Sequence, residues 1–217
     1  MNDFALARDR MIIEQLEARG IHDPRVLEAF RRVARERFVD PERIGEAYAD
    51  KPLPIVEGQI ISQPYIVALM LQSAEISPSD RVLEIGAGSG YAAALLAHLA
   101  QRIWTIEQHA RLARFAGARI AELGLSNVTV LRGDGTPGWP HAAPFDVIIV
   151  SAGAPTVSAT LKQQLAIGGR LVIPIGPTER SQRLVKIVRL DKSEFAEEDL
   201  GAVSFVPLQG EHGFPTS

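Results

Sequence analysis

One segment constrains the fold of this chain more than any other: residues 82–90 read VLEIGAGSG. It joins a short apolar run to a turn with three glycines, and a helical pattern begins directly afterwards at Tyr91. A glycine-rich turn between a strand and a helix lies at the carboxyl edge of an open α/β sheet, where such sheets bind ligands. The candidate ligand-binding residues of this turn are Gly86, Ala87, Gly88 and Gly90.

The rest of the chain alternates between apolar runs and helical patterns. Strands are predicted near residues 81–85, 103–107, 128–131 and 146–150, with helices beginning at Tyr91 and Ala110. This alternation is typical of a mostly parallel sheet that is buried on both faces, so the predicted fold class is α/β and doubly wound. Later strands are predicted at residues 170–174, 183–190 and 202–206, with an antiparallel arrangement at the far side of the sheet.

The residues before this alternating region are predicted to form a helical extension. Apolar residues recur at helical spacing as far as Gly20, which is typical of a helix end. Asp23 followed by Pro24 suits the start of a second helix, predicted to run to about Arg37. The sequence thus places two helices ahead of the sheet.

A proline-rich loop follows these helices. Residues 51–64 contain three prolines together with several apolar side chains, a combination typical of a functional loop. We expect one domain over residues 1–217, with residues 1–63 as helical extension and substrate loop and residues 64–217 as the core.

Composition excludes several classes of protein. The net charge is −3 with dispersed Lys and Arg, which argues against nucleic-acid binding. There is no cysteine, no apolar run long enough to span a membrane and no signal-peptide pattern. The five histidines show no paired ligand spacing, so no metal site is predicted. We expect a cytoplasmic monomer that contacts neither membrane nor nucleic acid.

Acidic residues close to three strand ends define the expected cofactor. Glu84 stands in an apolar strand, where a cationic ligand would compensate its burial and a pyrophosphate would be repelled. Glu107 suits the two hydroxyls of an adenosine ribose, although a solvated strand end or a helix cap is also possible. Asp134, beside Gly135, suits the adenine amino group, or a plain turn. Together these residues favour S-adenosylmethionine over a dinucleotide.

Several motifs carry a resemblance to a known family. They are GQIISQPY at residues 58–65, the segment 82–91, GDG at 133–135, PFD at 144–146, GGRLVIP at 168–174 and FVPL at 205–208. With these motifs the chain resembles the protein-L-isoaspartate O-methyltransferase family over nearly its whole length. The glycine-rich motif is shared by many methyltransferases, whereas the loop before it and the FVPL motif are specific to this family.

The resemblance implies a Rossmann-like class I methyltransferase core and a reaction. The reaction is S-adenosylmethionine-dependent methyl esterification of the free α-carboxylate of L-isoaspartyl residues in damaged proteins, the first step of their repair. By resemblance, Ser62 is the active-site serine. The implied peptide-binding residues are Ile60, Ile61, Val206, Pro207 and Leu208. In this chain Ile60 replaces the family's usual threonine, and Ala87 and Ala92 replace common threonine and glutamine.

The chemistry and its alternatives follow from these residues. A carboxylate is already ionised at neutral pH, so the reaction needs alignment and desolvation rather than a general base. The Ser62 hydroxyl suits that alignment, although it could instead cap a helix that begins near Pro64. At this level a methyltransferase with another acceptor, a non-catalytic S-adenosylmethionine-binding module and an NAD enzyme remain alternatives.

Overall fold

The computed structural model describes residues 3–178 and 181–214, and its strands form two sheets. In the described residues the strands are β1 Leu53–Pro54, β2 Ile60–Ile61, β3 Arg81–Ile85, β4 Arg102–Glu107, β5 Val128–Arg132, β6 Phe145–Val150, β7 Leu165–Thr178, β8 Ser181–Arg189 and β9 Phe195–Val203. β1 and β2 form a separate antiparallel pair, in which Leu53 lies opposite Ile61. The other strands form one sheet.

The order of strands in that sheet is β5-β4-β3-β6-β7-β8-β9. β5, β4, β3, β6 and β7 are parallel, and the pairs β7–β8 and β8–β9 are antiparallel. The chain moves outward from β3 through β4 to β5 and then returns to the other side of β3 as β6. This reversal opens a crevice at the carboxyl end of β3, the usual ligand site of such sheets. The predicted doubly wound, mostly parallel fold is confirmed.

Six α-helices lie in the described residues: α1 Asp3–Arg10, α2 Pro24–Arg32, α3 Pro64–Ser73, α4 Tyr91–Leu96, α5 Ala110–Glu122 and α6 Ala159–Gln163. α1 continues through a wider turn at Met11–Leu16 and a 3-10 turn at Glu17–Arg19, and Gly20 ends it with φ +92°. The carboxylate of Asp23 accepts the backbone N–H groups of Arg25 and Val26, so Asp23 is the predicted cap of α2. None of the described helices is both long and apolar enough to cross a bilayer.

Two predicted boundaries are wrong. α2 ends at Arg32 rather than Arg37, because Val33 adopts an extended conformation and Arg35–Phe38 forms a separate 3-10 turn. The strand predicted at residues 202–206 overlaps only the end of β9. β9 is largely exposed at the sheet edge and has three consecutive acidic residues at 197–199, so it lacks the apolar pattern used to predict strands.

The N-terminal helices share a hydrophobic core with the sheet. Tyr91, at the start of α4, is buried between the rings of Phe30 and Phe38, with centroid distances of 6.0 and 5.4 Å and edge-on geometry. Met11 of the N-terminal turn and Val82 of β3 belong to the same cluster of buried side chains. The helical extension is therefore packed against the helix that follows the glycine-rich turn.

Candidate functional site

A cavity lies at the carboxyl ends of β3, β4, β5 and β6 and brings most of the predicted site residues together. It is lined by Glu84, Gly86, Ala87, Gly88, Glu107 and Gly135 from the predicted donor site, and by Ile60, Ile61, Ser62, Val206, Pro207 and Leu208 from the predicted acceptor site. Gly90 and Asp134 do not line it. Ser151 and Ala152, which follow β6, also line the cavity and could have been predicted from the same strand-end argument.

Hydrogen bonds to both neighbouring strands fix the glycine-rich turn. The N–H groups of Gly86 and Ala87 donate to the Ile106 carbonyl of β4 at 2.9 and 3.1 Å. On the other side, Ser151 donates its N–H to the Ile85 carbonyl at 2.8 Å. Gly86 and Gly88 have φ of +90° and +53°, a backbone conformation that favours glycine.

Gly90 acts in packing rather than in the cavity wall. It caps α4 with φ +85°, and a Cβ there would lie 3.1 Å from the Cβ of Ala116 in α5. Glycine at this position lets α4 and α5 approach closely next to the donor turn.

Glu84 is a buried carboxyl group, and only one of its two oxygens is hydrogen-bonded among the described residues. Its Oε2 accepts the hydroxyl of Thr105 at 2.5 Å, while Oε1 is buried without a hydrogen-bond partner among the described residues. Burial raises the pKa of Glu84 to about 8; the Thr105 hydrogen bond opposes this shift and the nearby Glu107 charge adds to it. Because Glu84 lines the cavity, a cationic ligand could satisfy Oε1 and favour the charged form.

Glu107 is held rigidly at the end of β4. Its two carboxylate oxygens accept N–H groups from Gly88 at 2.8 Å and from His109 at 2.9 Å. Each oxygen keeps a second lone pair for a ligand. The side chain is buried at the cavity wall, so the geometry suits recognition of a neighbouring pair of hydroxyls. The contact with Gly88 also ties Glu107 to the glycine-rich turn.

Gly135 and Asp134 have different surroundings despite being adjacent. Gly135 lines the cavity, and a Cβ there would lie 2.7 Å from Cγ2 of Ile85. The Asp134 carboxylate instead accepts backbone N–H groups of Thr136 at 2.8 Å and Glu211 at 2.9 Å. Burial would raise the pKa of Asp134, but these N–H groups outweigh it and hold the pKa below its usual value. In this structure Asp134 anchors residues near the C-terminus.

Residues 204–214, here called the C-terminal segment, cross the cavity and are attached at several points. Gly153 donates its N–H to the Val206 carbonyl at 2.8 Å and accepts from Leu208 at 2.7 Å. The side-chain amide of Gln182 exchanges two hydrogen bonds with the backbone of Phe205. These contacts hold Val206, Pro207 and Leu208 against the cavity, although no sequence pattern indicated the role of Gly153 or Gln182.

Ser62 lies between two hollows. It lines the donor cavity, and together with Ile60 it also lines a second hollow on the outer side of the loop. The other residues of that hollow are Pro52, Gln63, Ile66, Ala202, Val203, Ser204 and Phe205. The alternative helix-cap role of Ser62 is wrong, because Gln63 is the N-cap of α3 and α3 has no side-chain cap hydrogen bond. The hydroxyl of Ser62 is therefore not committed to starting this helix.

The fold and the cavity define a class of protein. A parallel sheet with this strand reversal, a glycine-rich turn, a cavity-facing buried acid and a second acid on the next strand are the features of a class I methyltransferase that uses S-adenosylmethionine. The unpartnered Oε1 of Glu84 fits the positive charge of that donor.

Comparison with known proteins shows the particular family. The family model for protein-L-isoaspartate(D-aspartate) O-methyltransferase matches residues 7–213. The Protochlamydia amoebophila protein-L-isoaspartate O-methyltransferase is 53% identical over 95% of this chain and 99% of its own length. That of Methylorubrum populi is 57% identical over 93% of this chain and 94% of its own length. The chain belongs to this family.

Solved structures agree with this conclusion. A protein-L-isoaspartate O-methyltransferase structure matches with a TM-score of 0.86 and 28% identity, over 95% of this chain and 67% of that chain. A candidate family member from Plasmodium falciparum, in complex with S-adenosyl-L-homocysteine, matches with a TM-score of 0.81 and 24% identity over 96% and 99% of the two chains. The second match shows a shared fold. This chain is an isoaspartyl carboxyl methyltransferase with S-adenosylmethionine as donor, which decides against an NAD enzyme.

The protonation of Glu84 predicts how the stability of the ligand-free protein depends on pH. Between pH 4.5, the usual carboxyl pKa, and about 8, the folded protein retains a proton that the unfolded chain has lost. The free energy of unfolding should therefore fall as pH rises through this window. Glu84→Gln stays neutral, so from pH 6 to 8 it should gain about 1 to 2 kcal/mol relative to the unmodified protein. Urea unfolding of both proteins measures this difference, and parallel pH profiles would contradict it.

The contact between Asp134 and the C-terminal segment predicts a specific effect of Gly210→Ala. Gly210 has φ +135°, and a Cβ there would lie 2.2 Å from Oδ1 of Asp134. The substitution should displace the segment and accelerate amide exchange at Glu211 and His212 about 10-fold or more. Gly201→Ala is the control, because Gly201 also has positive φ, +106°, but has nothing within 4 Å of such a Cβ. Equal exchange in both variants would show that Asp134 does not hold the segment.

Proposed function

We propose that Ser62 aims the α-carboxylate of an L-isoaspartyl residue at the methyl donor. The observation that supports this role is the position of Ser62, which lines both the donor cavity and the outer hollow. An acceptor lying in the outer hollow would reach the donor past this side chain. A hydroxyl can donate one hydrogen bond to a carboxylate oxygen and so fix its direction without protonating it.

The remaining work assigned to the protein is the exclusion of water. The acceptor carboxylate is already ionised, so no general base is required. Its nucleophilicity depends on losing part of its hydration and on alignment with the methyl-to-sulfur bond. Ile60 and Ile61 on one side, and Val206, Pro207 and Leu208 on the other, supply apolar walls for this purpose. Ile60 lies in both hollows, so its replacement of the usual threonine makes this wall more apolar.

The residues assigned to the donor fit a molecule with a cationic end and a ribose. We assign Glu84 to the positive charge of the methionine part and Glu107 to the ribose hydroxyls. The backbone at Gly86, Ala87 and Gly88 allows close approach of the donor, and Gly135 has no side chain that would collide with Ile85 at the cavity wall. Bound there, S-adenosylmethionine supplies an electrophilic methyl group. Asp134 supports the site indirectly by anchoring the C-terminal segment.

The cellular setting and oligomeric state are proposed from the composition of the chain. We propose that the protein acts in the cytoplasm as a single-domain monomer that does not bind nucleic acid. The absence of cysteine and the dispersed positive charge support this setting. Sedimentation analysis of the purified protein tests the monomeric state.

Matched peptides test the acceptor assignment. With labelled donor, a peptide containing L-isoaspartate should be methylated, and labelling of the same peptide with normal aspartate should be negligible. The two peptides carry the same charge and differ in where the carboxylate projects from the backbone, so alignment past Ser62 distinguishes them. Equal labelling of both peptides would contradict the assignment.

Two serine substitutions separate catalysis from stability. Ser62→Ala should leave the melting temperature and donor affinity nearly unchanged, because this hydroxyl caps no helix, but should slow single-turnover methylation about 10- to 100-fold. Ser158 caps α6 by accepting the N–H of Leu161, and it does not line either hollow. Ser158→Ala should lose about 1 kcal/mol of stability while retaining turnover. Near-normal turnover of Ser62→Ala would remove the role assigned to Ser62.

A further inference from the structure

Arg35 is a buried cation outside the two hollows. It begins the 3-10 turn Arg35–Phe38, and its side chain is fully buried with 0% exposure. Among the described residues it forms no ion pair with a carboxylate. Burial lowers the pKa of Arg35, and the neighbouring Tyr91 opposes this shift. A guanidinium group nevertheless stays charged in proteins.

The donors of Arg35 reach both ends of one loop. Residues 47–62, here called the Ser62 loop, include the β1–β2 pair and end at Ser62. Nε of Arg35 donates to the Ala47 carbonyl at 2.8 Å, and Nη2 donates to the Ser62 carbonyl at 2.8 Å. The planar guanidinium holds these two donors in a fixed relation. One side chain therefore fixes the distance between the beginning and the end of the loop.

The same guanidinium lies against α4, the helix that follows the glycine-rich turn. Its central carbon is 4.9 Å from the ring centroid of Tyr91, the first residue of α4. Tyr91 lines the donor cavity, so Arg35 contacts a wall of that cavity on one side and the Ser62 backbone on the other. Arg35 therefore contacts both the Ser62 loop and the helix that follows the glycine-rich turn.

Stability alone does not account for this arrangement. Burying a cation without a carboxylate partner costs far more than burying an apolar side chain of similar volume. Nη1 of Arg35 and the Tyr91 hydroxyl are both buried and close enough for each residue to shift the other's pKa, but neither atom has a hydrogen bond of good geometry among the described residues, so the compensation is incomplete. The property that an apolar replacement could not supply is a rigid pair of donors to two carbonyl groups.

The Ser62 carbonyl is the important contact. Fixing this carbonyl fixes the peptide plane after Ser62 and, through the α-carbon, limits the direction of the side chain. We infer that Arg35 is a positioning residue for methyl transfer, which holds the Ser62 hydroxyl in line with the donor cavity through the Ser62 carbonyl. This inference rests on the proposed role of Ser62.

A double-mutant cycle tests the inference. Arg35→Lys keeps the positive charge but loses the planar pair of donors. We expect it to slow single-turnover methylation of an isoaspartyl peptide about 10-fold when Ser62 is present, and less than about 2-fold in the Ser62→Ala background. Donor affinity should be unchanged. Rates are expressed per donor-binding site measured by calorimetry, so misfolded protein does not contribute.

Arg37→Lys is the matched control. Arg37 lies in the same 3-10 turn, but its side chain is 41% exposed and pairs with Glu122 at 3.3 Å. This variant should leave the rate of each background unchanged: the unmodified rate when Ser62 is present, and the Ser62→Ala rate when it is not. An effect of equal size for Arg37→Lys would show that the turn as a whole, rather than the Arg35 guanidinium, determines the rate.

The cycle distinguishes failure of the inference from failure of the proposed function. A normal rate for Ser62→Ala alone would remove the role of Ser62. A slowed Ser62→Ala combined with the same Arg35→Lys effect in both backgrounds would overturn the coupling between the two residues. Loss of donor binding in Arg35→Lys would also overturn it, because the guanidinium would then support the whole fold instead of the Ser62 loop.

Discussion

The site depends on the hydrogen bonds that hold the end of β3 between β4 and β6. Ile106 of β4 accepts two N–H groups from the glycine-rich turn, and Ile85 at the end of β3 accepts one from Ser151 after β6. The turn therefore cannot move without breaking contacts to both neighbouring strands. Glu107 adds a third connection through the N–H of Gly88. Because all of these bonds are made between groups of the protein itself, the donor site is preorganised and less ordering is required on binding.

The helical extension holds the acceptor side of the site, around Ser62, in place. Several of its polar side chains bind the stretch that leads to Ser62: Gln15 donates to the Tyr48 carbonyl, and Arg19 pairs with Asp50. Asp50 in turn accepts the side-chain amide of Gln63 at 2.8 Å. A proline-rich loop of this length would otherwise sample many conformations, each with a different direction of the Ser62 hydroxyl. The extension thus contributes to the acceptor side without lining either hollow.

The sequence was sufficient to predict features that depend on local patterns. Apolar strands, the glycine-rich turn and the cap at Asp23 all leave a periodic or positional signal, and the structure confirms them. Side-chain direction left no such signal. An aspartate after a strand gives the same sequence pattern whether its carboxylate points to a ligand or, as with Asp134, binds the backbone N–H of a residue 77 positions later. Most of β9 was missed for a related reason, because its exposed charged residues resemble those of a loop.

Two buried ionisable groups show how tertiary contacts determine what such a group can do. Glu84 and Arg35 are both fully buried and lack an ion-pair partner among the described residues. The free oxygen of Glu84 belongs to a residue that lines the donor cavity, so a ligand can compensate it, and in the ligand-free protein a proton does so up to a pKa of about 8. Arg35 cannot give up its charge in this way and is instead solvated by two carbonyl groups of the chain. The first group therefore suits binding and the second suits fixing the backbone, a division that follows from what each group can reach.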